Sequence, residues 1–286
     1  MLLLLKEILW RLVPQSIGKK LVNFYWKTQK SKSLKWILLN VYVLDQCNLN
    51  CKSCNSFAPL SKIYKLDKTS FENDCRRLSS LGESKIPEIH FLGGEPLLHP
   101  DLLILLEIAR KYFKKSKLQI ITNGILLLRQ NNSFWERLKE IDVGIIISHY
   151  PINLELKKIK KIANNNKLSI RYYKGELPWF KMAFDLNGTY SNEENYKRCN
   201  AALQSIELKD GKLAACQYIQ KIHYFNNYFD KQMEVVGEDV LDIYSVNNFD
   251  EILKFLSKAP KFCRYCTLKS IPIEWGISKK EITEWT

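Results

Sequence analysis

Three cysteines, Cys47, Cys51 and Cys54, stand within eight residues as C-x3-C-x2-C. Thiolates at that spacing can fold around one soft metal centre, because thiolate sulfur favours iron–sulfur, zinc or copper(I) over hard cations. Three ligands rather than four leave one corner of a four-iron cluster without a protein ligand. Chemistry can occur at such a corner, just as catalytic zinc sites keep an open position. A structural zinc knuckle is the alternative, but it wants a fourth ligand. The nearest histidines, His90 and His99, belong to a different loop.

Four more cysteines form a second set: Cys199 and Cys216 as C-x16-C, then, after a long gap, Cys263 and Cys266 as C-x2-C. Together they suffice for a closed four-thiolate site, either an iron–sulfur cluster or a zinc ribbon. Cys75 is left over and reads as a buried thiol filling core space.

The elements that must position these groups follow a repeat. Apolar runs at 36–44, 88–92, 117–122, 143–148 and 168–173 read as strands. Helical stretches at 70–81, 101–113, 133–139 and 154–164 alternate with them. Such a β-α repeat implies a parallel sheet with helices outside, and in such sheets sites gather at the carboxyl ends of the strands. The first cysteine set, Gly93-Gly94-Glu95-Pro96, Asn123-Gly124 and Ser148 all fall at those ends. After about residue 195 the repeat is expected to stop. Upstream, 2–13 and 17–26 read as helices, the first ended by Pro14.

These motifs carry a resemblance. Cys47-Asn48-Leu49-Asn50-Cys51-Lys52-Ser53-Cys54 resembles the cluster loop of the radical S-adenosylmethionine (SAM) family. His90 to Pro96 resembles its second-strand GGEP motif, and Thr122-Asn123-Gly124 its third-strand element. Ser148 matches a fourth-strand position that often touches the ribose. Ser53 departs from the family, which usually has an aromatic or apolar residue there. The resemblance implies an α/β fold, a partial (β/α)6 TIM-like barrel. It implies a [4Fe-4S] cluster on Cys47, Cys51 and Cys54, with SAM on the open iron. Gly93, Gly94, Glu95, Pro96, Asn123 and Ser148 would be its contacts, with Glu95 accepting from the SAM amino group. Reductive cleavage would give a 5′-deoxyadenosyl radical that abstracts hydrogen from the substrate. The second cysteine set resembles a twitch domain, a shortened SPASM domain, which implies an auxiliary [4Fe-4S] cluster on Cys199, Cys216, Cys263 and Cys266. No catalytic side chain is singled out. His149 reads as a general base, a substrate contact or a structural histidine, and Trp179 and Phe180 as pocket lining or core.

The expected organisation is a basic helical segment at 1–35, a radical SAM partial barrel at 36–195 and a twitch-type domain at 196–286. The extra cysteines point to a radical SAM oxidoreductase in which a substrate radical loses a proton and an electron, the electron passing to the auxiliary cluster. Epimerisation or cross-linking of a ribosomally made peptide is the alternative, and a non-catalytic metal-binding protein the last one.

Composition bounds the partners. The chain has 286 residues, 46% of them hydrophobic, ample for a large domain with a small appendage. The formal charge of +14 favours an anionic substrate, such as a nucleotide- or lipid-linked sugar. Residues 1–36 hold eight bases and one acid, a net +7. That segment reads either as a lid packed on the main domain or as a peripheral anchor for an acidic membrane. No RNA-binding module is visible, so nucleic acid is not expected. No secretory or spanning segment is evident, which makes the cytoplasm, or the inner face of its membrane, the expected location. An electron donor such as flavodoxin or ferredoxin is the expected protein partner.

Overall fold

The computed structural model describes residues 35–173, 179–199 and 206–286. The helices expected at 2–13 and 17–26 lie outside them. Five strands of the expected repeat are present: β1 (Leu38–Leu44), β2 (Glu88–Gly93), β3 (Lys117–Thr122), β4 (Val143–Ser148) and β5 (Ile170–Tyr173). Four helices cross between them: α1 (Lys68–Gly82), α2 (Leu102–Tyr112), α3 (Asn132–Glu140) and α4 (Leu156–Asn165). Strands β1 to β5 pair in parallel, each with the next.

Side-chain alternation decides what each face of this sheet does. Leu39, Val41, Ile89, Phe91, Leu118, Ile120, Ile145 and Ile147 join Phe71, Leu105, Trp135 and Ile159 of the four helices in one core. The residues between them on the strands are largely polar or small. Asn40, Gln119, His90 and Gly144 occupy the other face, where an added Cβ on Gly144 would lie 2.7 Å from the Gln119 side chain. The result is one apolar and one polar side to the same strands, as a barrel interior that receives polar ligands requires.

The sheet runs on past residue 195. β7 (Ile206–Lys209) lies parallel to β1, with Leu39 opposite Ile206. β8 (Lys212–Ala214) and β9 (Val240–Asp242) then extend the sheet antiparallel. The strand order is β5-β4-β3-β2-β1-β7-β8-β9, six parallel strands of a partial TIM-like barrel with a short antiparallel edge. The β pattern after residue 195 is thus longer than expected, because β7 to β9 have only three or four residues each and show little periodicity. Hydrogen bonds weld this edge to the barrel. Asn40 donates to Glu207 at 3.1 Å, and Asp74 of α1 accepts from the Gly211 N–H at 3.0 Å and the Tyr244 hydroxyl at 2.7 Å.

Three further helices, α5 (Asn192–Arg198), α6 (Gln217–Phe229) and α7 (Phe249–Leu256), and a two-stranded ribbon of β6 (Phe180–Phe184) with β10 (Cys266–Pro272) complete the fold. A second core holds them to the barrel mouth. Phe57 is fully buried, and its ring lies 5.8–6.1 Å from those of Phe184, Tyr218, Phe225 and Trp285. Offset and tilted aromatic contacts of this kind each add about 0.5–1.5 kcal/mol beyond area burial. Among the described residues no helix is long and apolar enough to cross a membrane.

Candidate active site

The chain leaves β1 at Leu44 and enters the first cysteine loop through a tight passage. An added Cβ at Gly93 would stand 2.1 Å from the Leu44 carbonyl oxygen, and one at Gly94 1.9 Å from that of Gln46. Only glycine permits this approach. The expected close approach to a ligand is therefore, on this side, a close approach to the chain's own backbone. It is secured by the Gly94 N–H donating to Leu44 O at 2.9 Å and the Glu95 N–H to Gln46 O at 2.8 Å. The loop beyond is wound through left-handed backbone at Asn50, Ser53 and Phe57, which turns it back within a few residues.

Glu95 is fully buried and bridges two strand ends. Its carboxylate accepts from Thr122 Oγ1 at 2.6 Å, the Asn123 N–H at 2.8 Å and the Leu97 N–H at 3.1 Å. Burial pushes its pKa up while these three donors pull it down. Glu95 itself does not line the cavity beside the cysteine loop. Pro96 starts the short turn that follows. Asn123 closes the set: its amide donates to Asn48 Oδ1 at 2.7 Å and lies 3.9 Å from Cys47 Sγ. Asn48 had no distinguishing signal in the sequence beyond its place between two cysteines.

Cys47, Cys51 and Cys54 line one cavity of about 260 Å³, together with Ser53, Gly93, Gly94, Tyr150, Trp179 and Phe180. Burial pushes the Cys47 thiol up to about 11 and the Cys51 thiol up to about 12, and neighbouring thiols add to both. Buried thiols of this kind bind a metal by releasing their protons. The Ser53 hydroxyl is buried and without a partner, on the cavity wall. Trp179 and Phe180 are wall rather than core, and Tyr150 packs against Trp179 with ring centroids 5.4 Å apart. Ser148 is half-buried at the end of β4, and His149 is exposed and edge-on to Tyr172; neither lines the cavity. Tyr150, which does, carries no signal in the sequence beyond its place just after the end of β4.

Of the second set, Cys199 and Cys263 pack against the barrel core and Cys216 against the aromatic one. Cys199 ends α5, Cys216 caps the start of α6, Cys263 lies in a short turn, and Cys266 opens β10. Burial raises the thiol pKa of Cys216, Cys263 and Cys266, and each also feels the charge of Cys199. Asn195 fixes the turn by donating to the Cys263 carbonyl at 2.8 Å and the Cys266 carbonyl at 2.5 Å. Among the described residues no three His, Cys, Asp or Glu side chains converge on a single ion. Tyr218, two residues after Cys216, is buried in the second core against Phe57 and donates to Asn55 Oδ1 at 2.9 Å. Cys75 is buried in the barrel core beside Phe71 and Leu78.

Residues 41–156 match the radical SAM superfamily. The chain carries a radical SAM domain. The cofactors of such a domain are a [4Fe-4S] cluster and SAM. Buried Cys51 with half-buried Cys47 and Cys54, the glycine passage and the unpartnered Ser53 hydroxyl fit that pair. Among curated relatives, the chain is 38% identical over 112 residues to a 7,8-dihydro-6-hydroxymethylpterin dimethyltransferase of Methanocaldococcus jannaschii, covering 38% of this chain and 21% of that protein. It is 25% identical over 224 residues to a GTP 3′,8-cyclase of Campylobacter jejuni, covering 78% of this chain and 67% of that protein. The chain thus spans from about a fifth to about two thirds of the length of these relatives. Among solved structures, BtrN in complex with AdoMet and 2-DOIA superposes with a TM-score of 0.54 at 20% identity, over 84% of this chain and 96% of that one. That likeness establishes the shared fold.

Proposed function

We propose that the chain is a radical SAM oxidoreductase that dehydrogenates a small anionic substrate, such as a nucleotide- or lipid-linked sugar. In this reading Cys47, Cys51 and Cys54 hold the [4Fe-4S] cluster, and the cavity they line receives SAM. Bound there and given one electron, SAM supplies a 5′-deoxyadenosyl radical that takes a hydrogen atom from the substrate. The protein's part is to bind, orient and exclude water. Gly93 and Gly94 offer a backbone wall with no side chain, Glu95 ties the ends of β2 and β3 together behind it, and Asn123 holds the loop by its contact with Asn48. Pro96 fixes the turn that aims Glu95, and Ser148 stands at the neighbouring strand end. Tyr150, Trp179 and Phe180 cover the cavity with aromatic surface.

The observation that carries the oxidation reading is the second thiol set, of which Cys216 packs against the aromatic core that also holds Phe57 and Tyr218. Losing a hydrogen atom leaves a substrate radical that still carries one proton and one electron more than the carbonyl product, and both must depart. Cys199, Cys216, Cys263 and Cys266 would hold a closed auxiliary [4Fe-4S] cluster, which would supply an acceptor for that electron. The net charge of +14 supports an anionic substrate. The cavity-lining residues carry no cationic side chain, so the charges that select the anion stand beyond that wall.

The experiment is a turnover count on the reconstituted chain with candidate sugar phosphates and nucleotide sugars. One 5′-deoxyadenosine per oxidised product is expected. An epimerised or rearranged product at the same stoichiometry overturns the oxidation. The basic segment at 1–36 supports peripheral contact with acidic membrane. Removing residues 1–30 should then abolish salt-sensitive liposome binding and leave SAM cleavage intact, whereas no binding by the full chain contradicts it.

A further inference from the structure

The C-terminal segment turns back across the first cysteine loop. Ile277 bridges Cys51 in antiparallel fashion, the Lys52 N–H donates to the Gly276 carbonyl at 2.8 Å, and the Ser278 N–H donates to the Asn50 carbonyl at 2.8 Å. Buried Glu284 closes the turn beyond, accepting from the Ser53 N–H at 3.3 Å, Ser278 Oγ at 2.7 Å and the Lys279 N–H at 2.7 Å. The Trp285 indole donates to the Cys54 carbonyl at 3.0 Å. The tail therefore holds the backbone of Asn50, Lys52, Ser53 and Cys54, and none of these bonds depends on a ligand.

Trp275 breaks that pattern. Its indole nitrogen is buried, and no acceptor among the described residues takes its hydrogen. Buried N–H groups without an acceptor are rare in native proteins and call for an explanation. Its neighbours Gly276 and Ile277 pair with Lys52 and Cys51, which lays the segment that carries Trp275 across the first cysteine loop.

We propose that Trp275 is the hydrogen-bond donor to the Cys51 sulfur of the SAM-binding cluster and a positioning residue that sets the reduction potential of that cluster. A thiolate is a stronger acceptor than a thiol, since charge strengthens a hydrogen bond. An N–H aimed at a cluster sulfur favours the reduced, more negative state and raises the potential. The inference rests on a [4Fe-4S] cluster at Cys47, Cys51 and Cys54, and on nothing about the substrate.

The test is an EPR-monitored redox titration of the reconstituted full chain beside Trp275→Phe, which keeps the ring and loses the donor. The cluster is identified as the one whose signal SAM perturbs, and iron and sulfide are counted in both proteins. Equal metal content with a more negative midpoint in Trp275→Phe is expected; equal metal content with an unchanged midpoint overturns the proposal. A second measurement needs no variant. Wild type grown on tryptophan labelled with ¹⁵N in the indole should show a ¹⁵N coupling to that reduced cluster in pulsed EPR. Its absence overturns the proposal. A wild-type chain that takes up no iron overturns the cluster reading beneath it, and this inference with it.

Discussion

At the residue scale, two positions hold the site by steric and electrostatic necessity. Gly94 passes so close to Gln46 that a methyl group would overlap its carbonyl oxygen at 1.9 Å, and backbone cannot swing aside as a side chain can. We expect Gly94→Ala to cost about 3 kcal/mol, at the upper end of ordinary overpacking. Thermal melting of the apoprotein checks this, and a midpoint equal to that of the wild type would contradict the close passage. Lys221 is the second position. It is fully buried, pairs with Asp45 at 2.7 Å and stands 3.6 Å from the centre of the Tyr42 ring. Burial pushes the Asp45 carboxyl up, and Lys221 and Lys209 outweigh it, holding it at about 2. Removing one partner of a buried pair leaves a charge poorly compensated and costs about 3–5 kcal/mol. Lys221→Met should therefore lower stability by that amount in a denaturant titration. A loss below about 1 kcal/mol would mean that Lys209 and the Tyr224 hydroxyl, 2.8 and 2.7 Å from Asp45, suffice alone.

At the scale of elements, the tail from Trp275 to Thr286 acts as a brace for the cysteine loop. Glu284→Ala would leave the Ser53 and Lys279 N–H groups and the Ser278 hydroxyl without their acceptor. We expect a loss of about 2–3 kcal/mol, with new proteolytic cleavage near Asn50. Unchanged melting and an unchanged cleavage pattern would contradict the brace. This element was invisible in the sequence for a physical reason. It is held largely by backbone hydrogen bonds, which any residue can make, and Glu284 follows a run of exposed charges that reads as solvated surface. The β6–β10 ribbon was equally hidden, since its strands are more than eighty residues apart and neither alternates clearly. The parallel strands were legible because each turns an apolar face to the helices and is bounded by turn residues, as in Val143–Ser148. Their boundaries fall within two residues of expectation. The cysteine sets and the GGEP turn were legible too, because thiols and paired glycines have few other uses at strand ends. Tyr150, Asn48 and Trp275 were not. A tyrosine, an asparagine and a tryptophan have many uses, and only their placement selects one.

At the scale of the molecule, the two thiol sets lie about 150 residues apart in sequence, with Cys216 packed against the aromatic core and Cys199 and Cys263 against the barrel core. The ring of Phe57, which follows Cys54 closely, and Tyr218, two residues after Cys216, belong to the same cluster of buried side chains. Barrel mouth and C-terminal region are therefore built as one packed body, and the two sites should fill in the same folded chain. The most direct measurement is iron and acid-labile sulfide per chain after anaerobic reconstitution, on the wild type and on a Cys47, Cys51, Cys54→Ala triple variant. The account predicts about eight irons in the wild type and about four in the variant. About four falling to none would remove the auxiliary cluster and the oxidation reading with it, and an iron count unchanged by the triple substitution would contradict the assignment of the first site.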